Sequence, residues 1–115
     1  MKIMNLTPHE LMLIGGGEQI IGRIIPTGQV ARVKTLTTEV GQVVVDGHTV
    51  PIVATTYREV ENLPGVQDDT IYVVSVLVAQ ALGGQRSDVV APDIGPQSVV
   101  RDAYGHIIGV HRFTR

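Results

Sequence analysis

Residues 70–84, TIYVVSVLVAQALGG, contain the two patterns that decide the fold class. The first five residues are all β-branched or aromatic, which predicts a buried strand. From Ser75 to Leu82 the spacing of apolar residues becomes that of a short helix, with Ser75 as its N-cap and the glycine pair at 83–84 as a left-handed C-cap. The expected apolar stripe of this helix consists of Leu77, Val78, Ala81 and Leu82.

Two hairpins are predicted on either side of this unit. Asp46-Gly47 separates Val43-Val44-Val45 from His48-Thr49-Val50, two runs that are mostly β-branched. Asp-Gly is typical of a type I′ turn because both central residues need a positive φ. In the second hairpin, Asp102 begins and Gly105 ends the turn between residues 99–101 and 106–113, which suits a type I turn followed by a left-handed residue.

The rest of the chain alternates between short extended runs and turn residues. A turn or one helical turn is predicted at residues 7–10, a glycine loop at 15–17, and polar loops at 59–69 and 92–96. Further strands are expected at 3–5, 11–14, 19–25, 30–34, 52–57 and 89–91. The expected fold is therefore one α+β domain, residues 1–115, that is mostly antiparallel sheet with hairpins and one short helix.

Composition and charge narrow the functional classes. The 115 residues are 43% hydrophobic and 17% charged, and they include no cysteine and no apolar run long enough for a signal peptide or a membrane span. We therefore expect a cytoplasmic protein with no membrane partner. A net charge of −2 argues against a general DNA- or RNA-binding role.

The familiar motifs of catalysis and cofactor binding are missing. The four histidines have no metal-binding spacing, the glycine runs lack the Lys-Ser/Thr of a phosphate loop, and no nucleophile elbow surrounds Ser75, Ser87 or Ser98. The carboxylate pairs Glu59/Glu61 and Asp68/Asp69 are equally consistent with hydrated surface charges. We predict no metal site, no cofactor and no enzymatic activity.

Arginine is the remaining chemical signal. Seven of the nine basic residues are arginine, whose planar fork binds phosphate or carboxylate through two hydrogen bonds. Arg58 follows Tyr57, Arg112 precedes Phe113, and Arg101 stands before the tight turn of the second hairpin. These positions suit a ligand that carries phosphates and a base, while ordinary surface charges, or an Arg101–Asp102 pair, account for them equally well.

Several stretches together resemble a known family. They are Asn5-Leu-Thr-Pro-His9, Glu59-Val-Glu-Asn-Leu-Pro64, Thr70-Ile-Tyr-Val-Val-Ser75, Arg86-Ser-Asp88 with Pro92-Asp93, and Val100-Arg-Asp102 with Gly105-His-Ile-Ile-Gly109. Across nearly the whole chain this pattern is similar to the Thoeris anti-defence sponge family, first member type, which comprises small phage and prophage proteins.

The resemblance implies a non-enzymatic protein that holds cyclic ADP-ribose isomers and, at a separate site, cyclic di- or trinucleotides. It implies a homo-oligomer in which dimers build a hexamer with ligand at subunit interfaces. By position, the ADP-ribose site falls on Leu82 and Asp93, where the family has a bulky or aromatic residue and an amide, and the cyclic-oligonucleotide site falls on Arg58 and Arg112. A phage structural or assembly accessory protein, and more remotely a small nucleotide-processing enzyme, are the alternatives.

Overall fold

The computed structural model describes all 115 residues, which form ten strands and one helix. In chain order these are β1 Lys2–Asn5, β2 Leu11–Ile14, β3 Ile20–Ile24, β4 Arg32–Val45, β5 His48–Glu61, β6 Thr70–Val73, α1 Val76–Leu82, β7 Val89–Pro92, β8 Val99–Arg101, β9 Ile107–Val110 and β10 Phe113–Thr114. The α+β fold, mostly antiparallel with one short helix, is confirmed. The helix has seven residues and is too short to cross a bilayer.

The hydrophobic core lies on a four-stranded sheet, the core sheet, with strand order β1-β6-β7-β10. The predicted strand at 70–74 is its buried centre, and Tyr72, Val73 and Val74 are fully enclosed. The pairings β1–β6 and β6–β7 are parallel, whereas β7–β10 is antiparallel. Parallel neighbours must come from distant parts of the chain, so Lys2 lies opposite Thr70.

Helix α1 closes one side of this core and begins and ends as the sequence predicts. The Ser75 hydroxyl accepts a hydrogen bond from the Val78 N–H, and Gly83 ends the helix at φ +61°. The predicted apolar stripe is partly wrong. Val78 and Ala79 are the buried residues, whereas Leu77 is 41% exposed. Contacts to β4 and β5 on one side and β7 on the other set the buried face of the helix.

A second four-stranded sheet has the order β3-β2-β9-β8. It contains the predicted hairpin at Asp102–Gly105, with Gly105 at φ +84°. The buried Asn5 side chain ties this sheet to the core sheet, because its Nδ2 donates to the carbonyls of Ile24 and His9 at 2.9 Å each. Its Oδ1 accepts from Thr7, so residues 7–9 form a turn rather than a helical turn.

Strands β4 and β5 form a separate two-stranded ribbon, which we call the arm (residues 32–61). The predicted Asp46-Gly47 turn is confirmed, with φ values of +49° and +79°. The predicted strands were too short, because β4 runs continuously from Arg32 to Val45, whereas the sequence predicts separate strands at 30–34 and 43–45, and β5 includes residues 59–61, which were expected to be loop. Only the base of the arm reaches the core, through Val33 and Val60.

Candidate functional site

Three of the predicted site residues surround the loop between β7 and β8, residues 93–98, which we call the Asp93 loop. Asp93 Oδ2 accepts a hydrogen bond from Arg112 Nε, and the Asp93 N–H donates to the Arg112 carbonyl at 3.0 Å. Asp93 Oδ1 accepts from the Gly95 N–H at 2.9 Å, which shapes the loop after Pro92. The structure therefore brings Asp93 and Arg112, assigned to two separate sites by the resemblance, into direct contact.

The buried Ser98 fixes the backbone that carries Arg112. Its hydroxyl oxygen accepts from the N–H groups of His111 and Arg112, both at 3.2 Å, and its carbonyl accepts a second bond from His111 N–H. The His111 ring adds a contact between Nδ1 and the Ile14 carbonyl at 2.7 Å. Arg112 is thus presented from a rigid backbone, while its side chain is 58% exposed.

The electrostatics of the pair favour a charged Asp93. The hydrogen bond from Arg112, followed by the Gly95 N–H, holds the pKa of Asp93 below its ordinary value. Only Nε of the Arg112 guanidinium has a protein partner, so its two terminal nitrogens remain available. A guanidinium held this way can bind an external phosphate while the carboxylate fixes its plane.

Two open cavities share Ile94 of the Asp93 loop. One, of about 370 Å³, is lined by Ile94, Pro96, Val99 and Arg101. The other, of about 460 Å³, lies between the start of α1, the turn at residues 7–9 and strand β9, and its lining is largely apolar with no arginine or lysine. Both volumes fall within the roughly 300–1,000 Å³ typical of small-molecule sites. Arg101 is the only guanidinium in either cavity.

Arg101 is partly engaged by its own hairpin. Its Nη1 donates to the Gly105 carbonyl at 2.7 Å across the turn. Asp102 does not pair with Arg101. Its carboxylate accepts from the backbone N–H groups of Tyr104 and His106, and it lies 3.3 Å from His106 Nδ1. The alternative of an Arg101–Asp102 ion pair is therefore wrong.

Leu82 lies away from the Asp93 loop. It packs at the edge of the core and lines a shallow depression with Ala79, Arg86, Val89 and Arg115. Both arginines there have structural partners: Arg86 binds Asp88, and Arg115 donates to the Ser87 carbonyl at 2.7 Å. Leu82 and Asp93 are thus not brought together in one cavity of a single chain.

Arg58 lies at the base of the arm. The strand register moves from Val33 opposite Val60 to Thr35 opposite Tyr57, so Arg58 and Glu59 together face the single residue Lys34 in a bulge. Arg58 is exposed and makes no hydrogen bond or ion pair within the chain. It is a free guanidinium, but it does not contact Arg112.

Two features near these residues were missed at the sequence level. In the sequence, Ser98 is indistinguishable from an ordinary loop serine. Its burial depends on how the second hairpin folds back onto the loop. Arg32 lines a third cavity, of about 290 Å³, beside Thr7, Ser75 and Leu77. The sequence predicts only a strand at residues 30–34, with no sign of a cavity beside Arg32.

Comparison with protein-family models, curated proteins and solved structures finds no significant match. The structure contains no group of three or more His, Asp or Glu side chains that could hold a metal ion. The functional argument therefore depends on the guanidinium groups and cavities described above.

Proposed function

We propose that this protein is a non-catalytic binding protein that captures cyclic nucleotide signals and so blocks bacterial anti-phage defence. The proposed ligands are cyclic ADP-ribose isomers and cyclic di- or trinucleotides, and the proposed place of action is the cytoplasm of the infected host. The family resemblance supplies this ligand class. What supports it in the molecule is the availability of two exposed guanidinium groups.

The observation that carries the proposal is the state of Arg58 and Arg112. Arg58 has no partner in the chain, and Arg112 has two unengaged terminal nitrogens on a fixed backbone. An arginine with unengaged nitrogens is well suited to bind phosphate, because those donors can bind without breaking an existing hydrogen bond. Arg86, which is fully engaged by Asp88 and the Pro64 carbonyl, illustrates the opposite case.

A single copy offers too little positive charge for a tight anion site. Of its three open cavities, the largest has no arginine or lysine, and the other two have one arginine each, Arg101 and Arg32. Repetition of Arg58 and Arg112 around a symmetry axis would build a positive ring from a chain of net charge −2. The proposal therefore includes a homo-oligomer, a hexamer built from dimers, with ligands bound between copies.

The test is capture followed by release. The protein is incubated with a panel of cyclic ADP-ribose isomers and cyclic oligonucleotides, free ligand is removed, and bound material is released by heat and identified by mass spectrometry. Recovery of unchanged ligand supports capture. A converted product would instead make the protein an enzyme, and no bound ligand across the panel would overturn the proposal.

Single substitutions then test the named arginines. Arg58→Ala and Arg112→Ala should each weaken binding of cyclic oligonucleotides about 10- to 100-fold, as expected for a charge-assisted hydrogen bond of about 1.5–3 kcal/mol. Arg23→Ala is the matched control, because Arg23 lies on β3 and has only a long contact to Glu10.

Asp93→Asn keeps the acceptor for Gly95 but removes the charge beside Arg112, so it should tighten binding. Unchanged affinity in the Arg58, Arg112 and Asp93 variants would remove these residues from the site.

A phage structural or assembly accessory role is the second candidate, and the arm favours it. A long ribbon that extends from a small domain suits contact with other proteins. This candidate predicts co-purification with virions and no retention of any compound in the panel.

A further inference from the structure

We propose that the arm is the surface through which two copies of this chain associate, with one apolar face packed against the same face of a second copy about a two-fold axis. This inference deepens the proposed function, which requires several copies, but the argument for it comes from the arm alone.

Between residues 36 and 56, one face of the arm is free of charged residues. In an antiparallel ribbon, residues directly opposite each other lie on the same side. The register places five pairs on the apolar face: Val45–His48, Val43–Val50, Gly41–Ile52, Thr38–Ala54 and Leu36–Thr56. None of these ten residues is Asp, Glu, Lys or Arg. Burial of this face would therefore leave no unpaired charge.

The apolar face is open to solvent in the single chain. Leu36 is 46% exposed, Val50 42% and Ile52 44%. Proteins normally protect a solvent-exposed ribbon with lysine or other charges. Between residues 35 and 57 this arm carries only Glu39 and Asp46, and neither belongs to the apolar face. The scarcity of charged residues in the arm is typical of a surface that packs against another protein surface.

A ribbon of this kind is not expected to hold its shape alone. Isolated two-stranded hairpins are marginally stable in water, and stability normally requires further strands or a packed face. Only the base of the arm has such support, where Val33 and Val60 contact the core. The distal part therefore needs a partner surface.

The total surface area is larger than that of a self-sufficient monomer. The chain exposes 7672 Å², whereas a monomeric protein of 12.4 kDa exposes about 6,100 Å². The surplus exceeds the roughly 800 Å² per partner that a standard interface buries, so the chain has enough surface to spare for a stable dimer interface.

The chemistry of the face favours a second copy over a charged partner. A two-fold interface brings each residue against an equivalent surface of the other chain, so any charge near the axis would meet its like. The apolar face meets this condition because it has no charge. A nucleic acid or an acidic peptide would find no cation there.

The first test compares two lysine substitutions on adjacent residues of opposite faces. Ile52→Lys places a charge on the apolar face, whereas Val53→Lys places it opposite Glu39 on the other face, and the two wild-type side chains are similarly exposed. In sedimentation velocity the wild type and Val53→Lys should have twice the 12.4 kDa chain mass, or a multiple of it, and Ile52→Lys should have half the mass of the wild type or less. Circular dichroism checks that both variants fold.

A second measurement detects the arm interface without disrupting it. The chain has no cysteine, so a single Ile52→Cys or Val50→Cys introduces a unique thiol. A short bis-maleimide should cross-link these variants into dimers, whereas Val53→Cys should remain uncross-linked. Equal cross-linking on both faces, or a wild type that stays at 12.4 kDa at tens of micromolar, would overturn the arm interface.

These results are separable from the ligand question. An arm dimer that retains no compound in the panel supports the interface and rejects the proposed function. A monomeric wild type that retains ligand unchanged rejects both the interface and a ligand site between copies, and leaves the capture activity in place.

Discussion

At the scale of single residues, the best-formed ion pair in the molecule serves the fold. Arg86 donates from Nε and Nη2 to the two oxygens of Asp88 at 2.8 and 2.9 Å, and it also donates to the Pro64 carbonyl. The side chains are 22% and 11% exposed. The Arg86 hydrogen bond lowers the pKa of Asp88, and the same bond raises the pKa of Arg86. This pair anchors the loop after the arm to the start of β7.

Asp88→Asn should change how stability depends on pH. Because the pKa of Asp88 is lower in the folded protein, its contribution is complete above the unfolded pKa, about 3.9, and is lost as pH falls through the folded value. The variant should lose about 2 kcal/mol near pH 7, and this difference should shrink towards pH 2. Urea denaturation of both proteins between pH 2 and 7 measures it. A constant difference across that range would contradict the prediction.

The contact between Asp93 and Arg112 shows the limit of sequence reasoning at the residue scale. Both residues were named, but they are nineteen positions apart with a complete hairpin between them. Their contact depends on how the chain folds back after β9, where the Ser98 hydroxyl accepts hydrogen bonds from the N–H groups of residues 111 and 112. No local pattern encodes that return, so the contact could not be predicted from the sequence, and the resemblance assigns the two residues to different sites.

At the scale of elements, features set by local chemistry were predictable. Ser75, the glycine pair at 83–84 and the Asp46-Gly47 turn each act within a few residues, and all are found as predicted. The length of the arm was not predictable, because residues 35–42 lack a clear alternation and pack on no core. The parallel pairing of β1 with β6 was also hidden, since nothing local links residue 2 to residue 70.

Gly109 is required where β9 pairs with β2. A Cβ at this position would lie 2.7 Å from Ile14 Cδ1 and 2.8 Å from the Met12 carbonyl oxygen, and the latter belongs to a strand backbone that cannot easily move. Gly109→Ala should therefore destabilise the protein by about 1–3 kcal/mol, the usual effect of overpacking.

The matched control is Gly22→Ala on β3 of the same sheet, where a Cβ would meet nothing within 4 Å. It should be neutral or stabilising by a few tenths of a kcal/mol, because alanine restricts the unfolded chain. Denaturant midpoints of the two variants measure the contrast. Equal midpoints would show that β9 and β2 are not packed this closely.

At the scale of the whole molecule, the arm dominates the shape. The radius of gyration is 17.5 Å, whereas a globular domain of 115 residues has about 13 Å. Only 15 of 115 residues are buried. The chain thus combines a small core with a large apolar surface, as the proposed arm interface requires.

The melting temperature should therefore depend on protein concentration. If folding and arm association are coupled, a rise in concentration of about 100-fold favours the associated state and raises the midpoint by several degrees. Ile52→Lys should show a midpoint that does not change with concentration. Scanning calorimetry at several concentrations tests this, and a constant wild-type midpoint would mean that association contributes nothing to stability.

The order of strands in the core sheet also has a consequence for biosynthesis. The arm is a local hairpin that closes within about 1–10 μs, as soon as both of its strands leave the ribosome. The first strand must wait for Thr70 and its neighbours, 68 positions downstream, and translation needs roughly 3–14 s to reach them. Both arm strands are therefore complete before the core that supports their base, and under the proposed interface a second nascent chain on the same polysome is the first surface against which a marginally stable arm can pack.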